Sequence, residues 1–155
     1  MKSQLLDQKS LFVKKSSLPE AGKGLFTKTS IKKGTPIVEY KGKITTWKEV
    51  QHDEGKNGYI YYITRNLVID AGKYRSALAR YANDARGLKR INGTRNNAKY
   101  VEKGRQVFIT ATKDIQPGEE IFVGYGKEYW DVIRHNLKID KQREKTSNKK
   151  TSRKN

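Results

Sequence analysis

Cysteine is absent from this 155-residue chain, so disulfides and thiolate metal sites are excluded. Histidine occurs only at His52 and His135, in no metal-ligand spacing, and no metal is expected. Long apolar runs are missing too, so no segment is expected to span a membrane. Near the N-terminus Leu5-Leu6 gives way at once to Asp7, which leaves no apolar core for a secretory signal. Acidic residues are scarce, with 16 Asp and Glu against 34 Lys and Arg, and the net charge is +18. The expectation is a soluble, cytoplasmic protein, nucleoid-associated or, in a eukaryotic host, nuclear, whose field favours polyanions such as nucleic acid or the ribosome.

Apolar residues make up 34% of the chain and charged ones 32%, a thin supply for a core. The ends account for part of this. Residues 138–155 carry almost no apolar side chain and are expected to form a disordered basic tail, because burial there cannot offset the entropy of ordering. Residues 1–10 are expected to be loosely held. One domain over residues 11–137 remains, about 125 residues, enough for one modest interior.

Alternation dominates the ordered part. Leu11-Phe12-Val13, Leu25-Phe26-Thr27, Pro36 to Tyr40, Val107 to Ala111 and Ile121-Phe122-Val123 read as strands. Tyr59 to Ile63 and Leu67 to Ile69 straddle Arg65-Asn66 as a hairpin. Short helices are predicted from Thr45 or Thr46, with Glu49 near the capping-box position, over Ser76 to Tyr81, and through Tyr129, Val132, Ile133 and Leu137. No alternating strand–helix–strand pattern exists, so a doubly wound nucleotide fold is set aside in favour of a β-rich α+β domain.

The most informative stretch runs from Gly118 to Gly126, where Tyr125 stands between two glycines as a strand ends, followed by Tyr129-Trp130. It echoes Thr27 to Gly42, with the same order of Thr-Lys, Ile, turn Gly, Ile, Tyr and Gly. Two such units point to a shared site, or to two ordinary turns with core tyrosines. Two further pieces are Ala21-Gly22-Lys23-Gly24-Leu25-Phe26 and Arg80-Tyr81-Ala82-Asn83-Asp84-Ala85. Gly22-Lys23-Gly24 is not a phosphate loop, since the G-x-x-x-x-G-K-[ST] spacing is absent.

Taken in order, these pieces resemble the SET-domain protein-lysine methyltransferases, in which G-x-G, Y-x-G, R-F-I-N-H-S and G-E-E-L-x-x-x-Y-G follow one another. The likeness covers about Leu11 to Tyr129 and is closest to the small single-domain bacterial and viral members. It implies small β-sheets around a pseudoknot, in which Arg80 to Ala85 threads beneath the loop before Tyr125. It implies S-adenosyl-L-methionine as cofactor and a protein lysine as methyl acceptor. Cofactor contacts would come from Gly22, Lys23, Gly24, Tyr81, Asn83, Asp84, Tyr125 and Trp130. Gly22-Lys23-Gly24 would give a turn that approaches the ligand closely, and the Asn83 carboxamide would bind the amino-acid moiety. Backbone around Asp84 would receive the adenine, and Trp130 or Tyr129 would either stack on it or pack the closing helix. Tyr125 and Tyr40 would be catalytic, Tyr125 orienting the methyl group and Tyr40 bonding the incoming nitrogen, unless both are core tyrosines. A desolvated aromatic channel beside a sulfonium would lower the lysine pKa, so no histidine base is required.

The chain departs from the family's pattern at Asp84, where the motif has His, and at Ala85, where it has Ser. Val123 stands two residues before Tyr125, in a substrate channel where relatives carry an aromatic, and Tyr74 is a candidate to fill that gap. Asn97 is a candidate match for the asparagine of a Cys-x-Pro-Asn segment. The expected substrate is a basic or nucleic-acid-associated protein, reached through the basic tail. The alternative is an inactive SET-fold module that binds nucleic acid. The lysine-rich tail is itself a candidate methyl acceptor.

Overall fold

The computed structural model describes residues 4–50, 59–86 and 93–125. The chain divides into two compact units, Met1–Gly124 and Tyr125–Asn155. The first contains three small sheets. Of the second, only Tyr125 is described. The expected closing helix and the tail at 138–155 therefore lie outside the described residues.

Strands β1 (Leu11–Lys15) and β2 (Lys23–Thr27) form a hairpin, and β2 also pairs with β9 (Glu120–Ile121). A second sheet joins β3 (Pro36–Glu39), β8 (Gln106–Ala111) and β7 (Ala98–Lys103) in that order. The third places β6 (Leu67–Asp70) between β4 (Lys43–Thr45) and β5 (Ile60–Thr64). All strand pairs in these sheets are antiparallel. Strand β8 shows the driving pattern: Val107, Ile109 and Ala111 alternate inward and are buried, each large apolar side chain contributing about 1.5–3 kcal/mol.

The echo between the two turn-and-strand segments is a structural duplication. Ile31 and Ile115 exchange backbone hydrogen bonds of 2.8 and 2.7 Å and are both buried. Gly34 and Gly118 adopt the same left-handed conformation, with φ of 89° and 87°. The Gly34 amide donates to the Ala111 carbonyl at 2.8 Å, and the Gly118 amide donates to the Thr27 carbonyl at 2.7 Å. Each copy is a hairpin followed by an Ile-x-x-Gly turn, and each then sends its last strand to the other copy's hairpin. Thus β3 pairs with β8, while β9 pairs with β2. The equivalence does not extend to the tyrosines: Tyr125 lies one residue further from its turn glycine than Tyr40 does.

Sequence and structure part at three elements. The helix expected from Thr45 is preceded by a strand, because Lys43, Ile44 and Thr45 pair with Asp70, Ile69 and Val68. Thr46 then caps a single turn, its hydroxyl accepting from the Glu49 amide at 3.2 Å and its carbonyl from Val50 at 2.9 Å. The helical stretch near Ser76 is a short 3-10 helix, Leu78–Tyr81. Strand β7 was not predicted, since Lys99, Glu102 and Lys103 interrupt its apolar pattern; its pairing with β8 overrides weak local preference.

Candidate active site

Two segments of the resemblance meet beside the first hairpin. Gly22 has φ of 70° and closes the turn by accepting from the Ser16 amide at 2.8 Å. A Cβ at Gly22 would meet nothing within 4 Å, so this turn presents open backbone. The Asn83 Nδ2 donates to the Lys23 carbonyl at 3.0 Å. This brings Gly22, Lys23 and Asn83 together and leaves the Asn83 Oδ1 as acceptor for a ligand donor.

Gly24 belongs to a different setting from the one expected. It lies within β2 opposite Lys14 and is not a turn residue. A Cβ there would run into the Glu120 carboxylate, with the carboxyl carbon 2.9 Å away and Oε2 closer still. Glu120 is 6% exposed. Its Oε2 accepts from the Ser16 hydroxyl at 2.6 Å, and its Oε1 accepts from the Ser17 amide and hydroxyl, both at 2.8 Å. The glycine therefore makes room for a buried carboxylate that ties residues 16–17 to β9.

Asp84 is buried and turned inward: its Oδ1 accepts from the Arg86 amide at 2.8 Å and from the Asn96 Nδ2 at 2.9 Å. The Ala85 amide donates to the Asn96 Oδ1 at 2.8 Å. Two amides just after Asp84 are thus engaged within the chain, which narrows the backbone donors this segment can offer to an adenine.

The segment before Tyr125 is held on both sides. Asn83 bridges Phe122 in parallel, and the Val123 amide donates to the Asn83 carbonyl at 2.9 Å. On the other side Ala98 bridges Val123. The buried Asn97 side chain accepts from the Phe122 amide at 2.8 Å and donates to the Glu120 carbonyl at 2.9 Å. This crossing of the 83, 97–98 and 122–123 segments is the centre of the knot-like arrangement that the resemblance implies.

Tyr40 follows β3 and is 5% exposed. Its hydroxyl donates to the Tyr59 carbonyl at 2.7 Å. With its proton so engaged, the hydroxyl does not donate to an amine's lone pair. The ring packs with Tyr61 and Tyr100, at centroid distances of 5.9 and 6.0 Å. Tyr61 donates to Glu102 at 3.0 Å; burial, this hydrogen bond and the carboxylate's charge push its pKa up. Gly42 completes the Tyr40-Lys41-Gly42 motif by close approach, since a Cβ would lie 2.5 Å from the Asp70 carbonyl oxygen.

The remaining expected residues are dispersed. The Tyr81 hydroxyl donates to the Arg75 carbonyl at 2.6 Å. Tyr74 is 44% exposed on the turn after β6, whereas Val123 is fully buried, and no hydrogen bond joins the two among the described residues. Tyr125 is half-buried and opens the second unit; Trp130 lies outside the described residues. Sequence reasoning missed Glu120 and its serines, and it gave no role to Arg80, Tyr59, Tyr61 or Tyr100. Glu120 was one letter of a motif, and nothing local marked Ser16 and Ser17 as its partners.

Comparison with known proteins agrees with the fold. Residues 22–126 match the SET domain family model. The chain is 27% identical over 146 residues to a histone-lysine N-methyltransferase EZH2 of Chaetomium thermophilum, covering 86% of this chain and 9% of the relative. It is 29% identical over 116 residues to N-lysine methyltransferase KMT5A-A of Danio rerio, covering 68% of this chain and 32% of the relative. A putative histone-lysine N-methyltransferase 1 of Plasmodium falciparum is 31% identical over 124 residues, covering 74% and 2% respectively. The chain thus spans a third or less of the length of these relatives. Among solved structures, the methyltransferase domain of human PR domain-containing protein 2 superposes with a TM-score of 0.56 at 24% identity, over 76% of this chain and 77% of that one. The structure of ctPRC2 in an autoinhibited conformation bound to S-adenosylmethionine gives 0.57 at 24% identity, over 85% and 17%. On the family match over residues 22–126, more than half of its length, this chain belongs to the SET-domain family.

Proposed function

We propose that the protein transfers a methyl group from S-adenosylmethionine to the side-chain amine of a lysine in another protein. The observation that carries this is the junction of the open Gly22 turn with Asn83, whose backbone in turn holds Val123 two residues before Tyr125. The names of the SET-domain relatives, and the S-adenosylmethionine bound in one structural neighbour, support the same reaction class.

The residues fit the cofactor in kind. Gly22 offers open backbone, and the Asn83 Oδ1 offers an acceptor suited to an ammonium group. When bound, the cofactor supplies a methyl group activated by a sulfonium. Tyr40 accepts a hydrogen bond from the lysine nitrogen and so points its lone pair; positioning of this kind supplies much of the rate. Beside the positive sulfonium of the bound cofactor a second charge on the ammonium would be disfavoured, which favours the reactive neutral amine against the pull of the Tyr40, Tyr61 and Tyr100 ring faces on a cation. Tyr125 is assigned to the methyl group on its motif alone, through weak C–H···O contacts.

For substrate, we favour a basic protein already bound to nucleic acid. With a net charge of +18 the enzyme repels a free basic protein and is attracted to one whose charge a polyanion outweighs. The test is methyl transfer from labelled S-adenosylmethionine to reconstituted nucleosomes and to the same histones free of DNA, read by mass spectrometry. Lysine methylation that is faster on nucleosomes and lost in Tyr125→Phe is the expected result. No transfer to either, with intact salt-sensitive DNA binding, would favour an inactive nucleic-acid-binding module instead.

A further inference from the structure

We infer that Arg80 is a positioning residue for Tyr40, acting through Tyr59; the inference rests on the catalytic role proposed for Tyr40. Among the described residues the Tyr40 hydroxyl donates to the Tyr59 backbone carbonyl, 2.7 Å away. That carbonyl also accepts from the Ala71 amide at 3.0 Å. The acceptor that the phenol meets therefore moves with whatever fixes residues 59 and 71 against each other.

Arg80 grips both. Its Nη1 donates to the Ala71 carbonyl at 3.1 Å and the Gly72 carbonyl at 3.3 Å. Its guanidinium carbon lies 3.9 Å from the centroid of the Tyr59 ring and 5.4 Å from that of Tyr81. One planar cation thus bonds the backbone on one side of the Tyr59–Ala71 link and stacks on the ring at the other. Lysine can reach a carbonyl but has no plane to lay on the ring, so it does not reproduce this grip. The Arg80 Nε is buried and has no hydrogen-bond partner among the described residues. Gly42 brings the Tyr40 side of the link into backbone contact with Asp70 and Ala71, so a shift in residues 70–72 is transmitted to the Tyr40 segment directly.

The test compares the full-length chain with Arg80→Lys, Tyr40→Phe and the double variant. Nucleosomes serve as methyl acceptor, and S-adenosylhomocysteine affinity and amide hydrogen exchange at residues 59–72 are measured alongside. Arg80→Lys is expected to lower kcat by about 10- to 100-fold, the scale of a small misplacement of a reacting group, with S-adenosylhomocysteine affinity held within about twofold. Adding Arg80→Lys to Tyr40→Phe should bring no further loss, because the residue acts through that hydroxyl. Independent, multiplying losses would overturn the inference, as would an unchanged kcat. If the unmodified protein methylates nothing, the proposed function fails by itself, and hydrogen exchange still decides the clamp. Arg80→Lys should then speed exchange of the Ala71 amide by about three- to tenfold, the scale of the lost guanidinium contact on the Tyr59 ring. Unchanged exchange would show that Arg80 holds nothing.

Discussion

Gly22 and Gly24 stand two residues apart in one motif, yet they are glycine for different reasons. At Gly22 the reason is conformational, φ of 70° with open space around the missing Cβ. At Gly24 it is steric, since the Glu120 carboxylate occupies the space. Gly22→Ala should therefore destabilise by about 1 kcal/mol, the strain of a left-handed alanine. Gly24→Ala should cost about 2–3 kcal/mol, because it displaces a buried carboxylate from three hydrogen bonds. Urea unfolding of the two variants measures the difference. Tyr61 gives a pH signature at the same scale. Its pKa is raised in the folded state by burial and by Glu102, so the stability it contributes is intact below the ordinary phenol value of about 10 and falls as pH rises above it. Tyr61→Phe should lose less stability than the parent between neutral and strongly alkaline pH, a comparison that thermal melts across that range can make. The sequence made the four motifs legible residue by residue. It left their partners hidden, because Ser16 with Glu120 and Tyr59 with Tyr40 are contacts that only the fold creates.

At the scale of elements, strands with β-branched alternation such as β8 could be read directly, and so could the hairpin around Arg65-Asn66. Strands β4 and β7 could not, since each carries charged residues and takes its form from a neighbouring strand. Asn97 shows how one side chain serves an element: both ends of its carboxamide bind the backbone of residues 120 and 122. Asn97→Ala would leave a buried amide and a buried carbonyl unpaired and should cost about 2–4 kcal/mol. It should also loosen the segment leading to Val123, seen as faster hydrogen exchange at Phe122 and Val123. Asn97→Asp restores the acceptor but not the donor and should recover only part of the loss.

Across the molecule, the echo between the Ile31-to-Gly34 and Ile115-to-Gly118 turns proved to be the organising symmetry, with each copy's last strand given to the other's hairpin. That exchange sets β9 beside β2, which follows Gly22, and Phe122 just beyond it beside Asn83, and it is why residues far apart in sequence meet in one place. The duplication was legible in the sequence; the exchange was not, since nothing local says which hairpin a strand will join. The claim on which the functional account depends is that this meeting place binds S-adenosylmethionine. Calorimetric titration of the full chain with S-adenosylhomocysteine at moderate salt, beside Asn83→Ala, tests it most directly. The account predicts saturable binding near one ligand per chain, lost in the variant. No binding heat and no thermal stabilisation in the parent chain would contradict it.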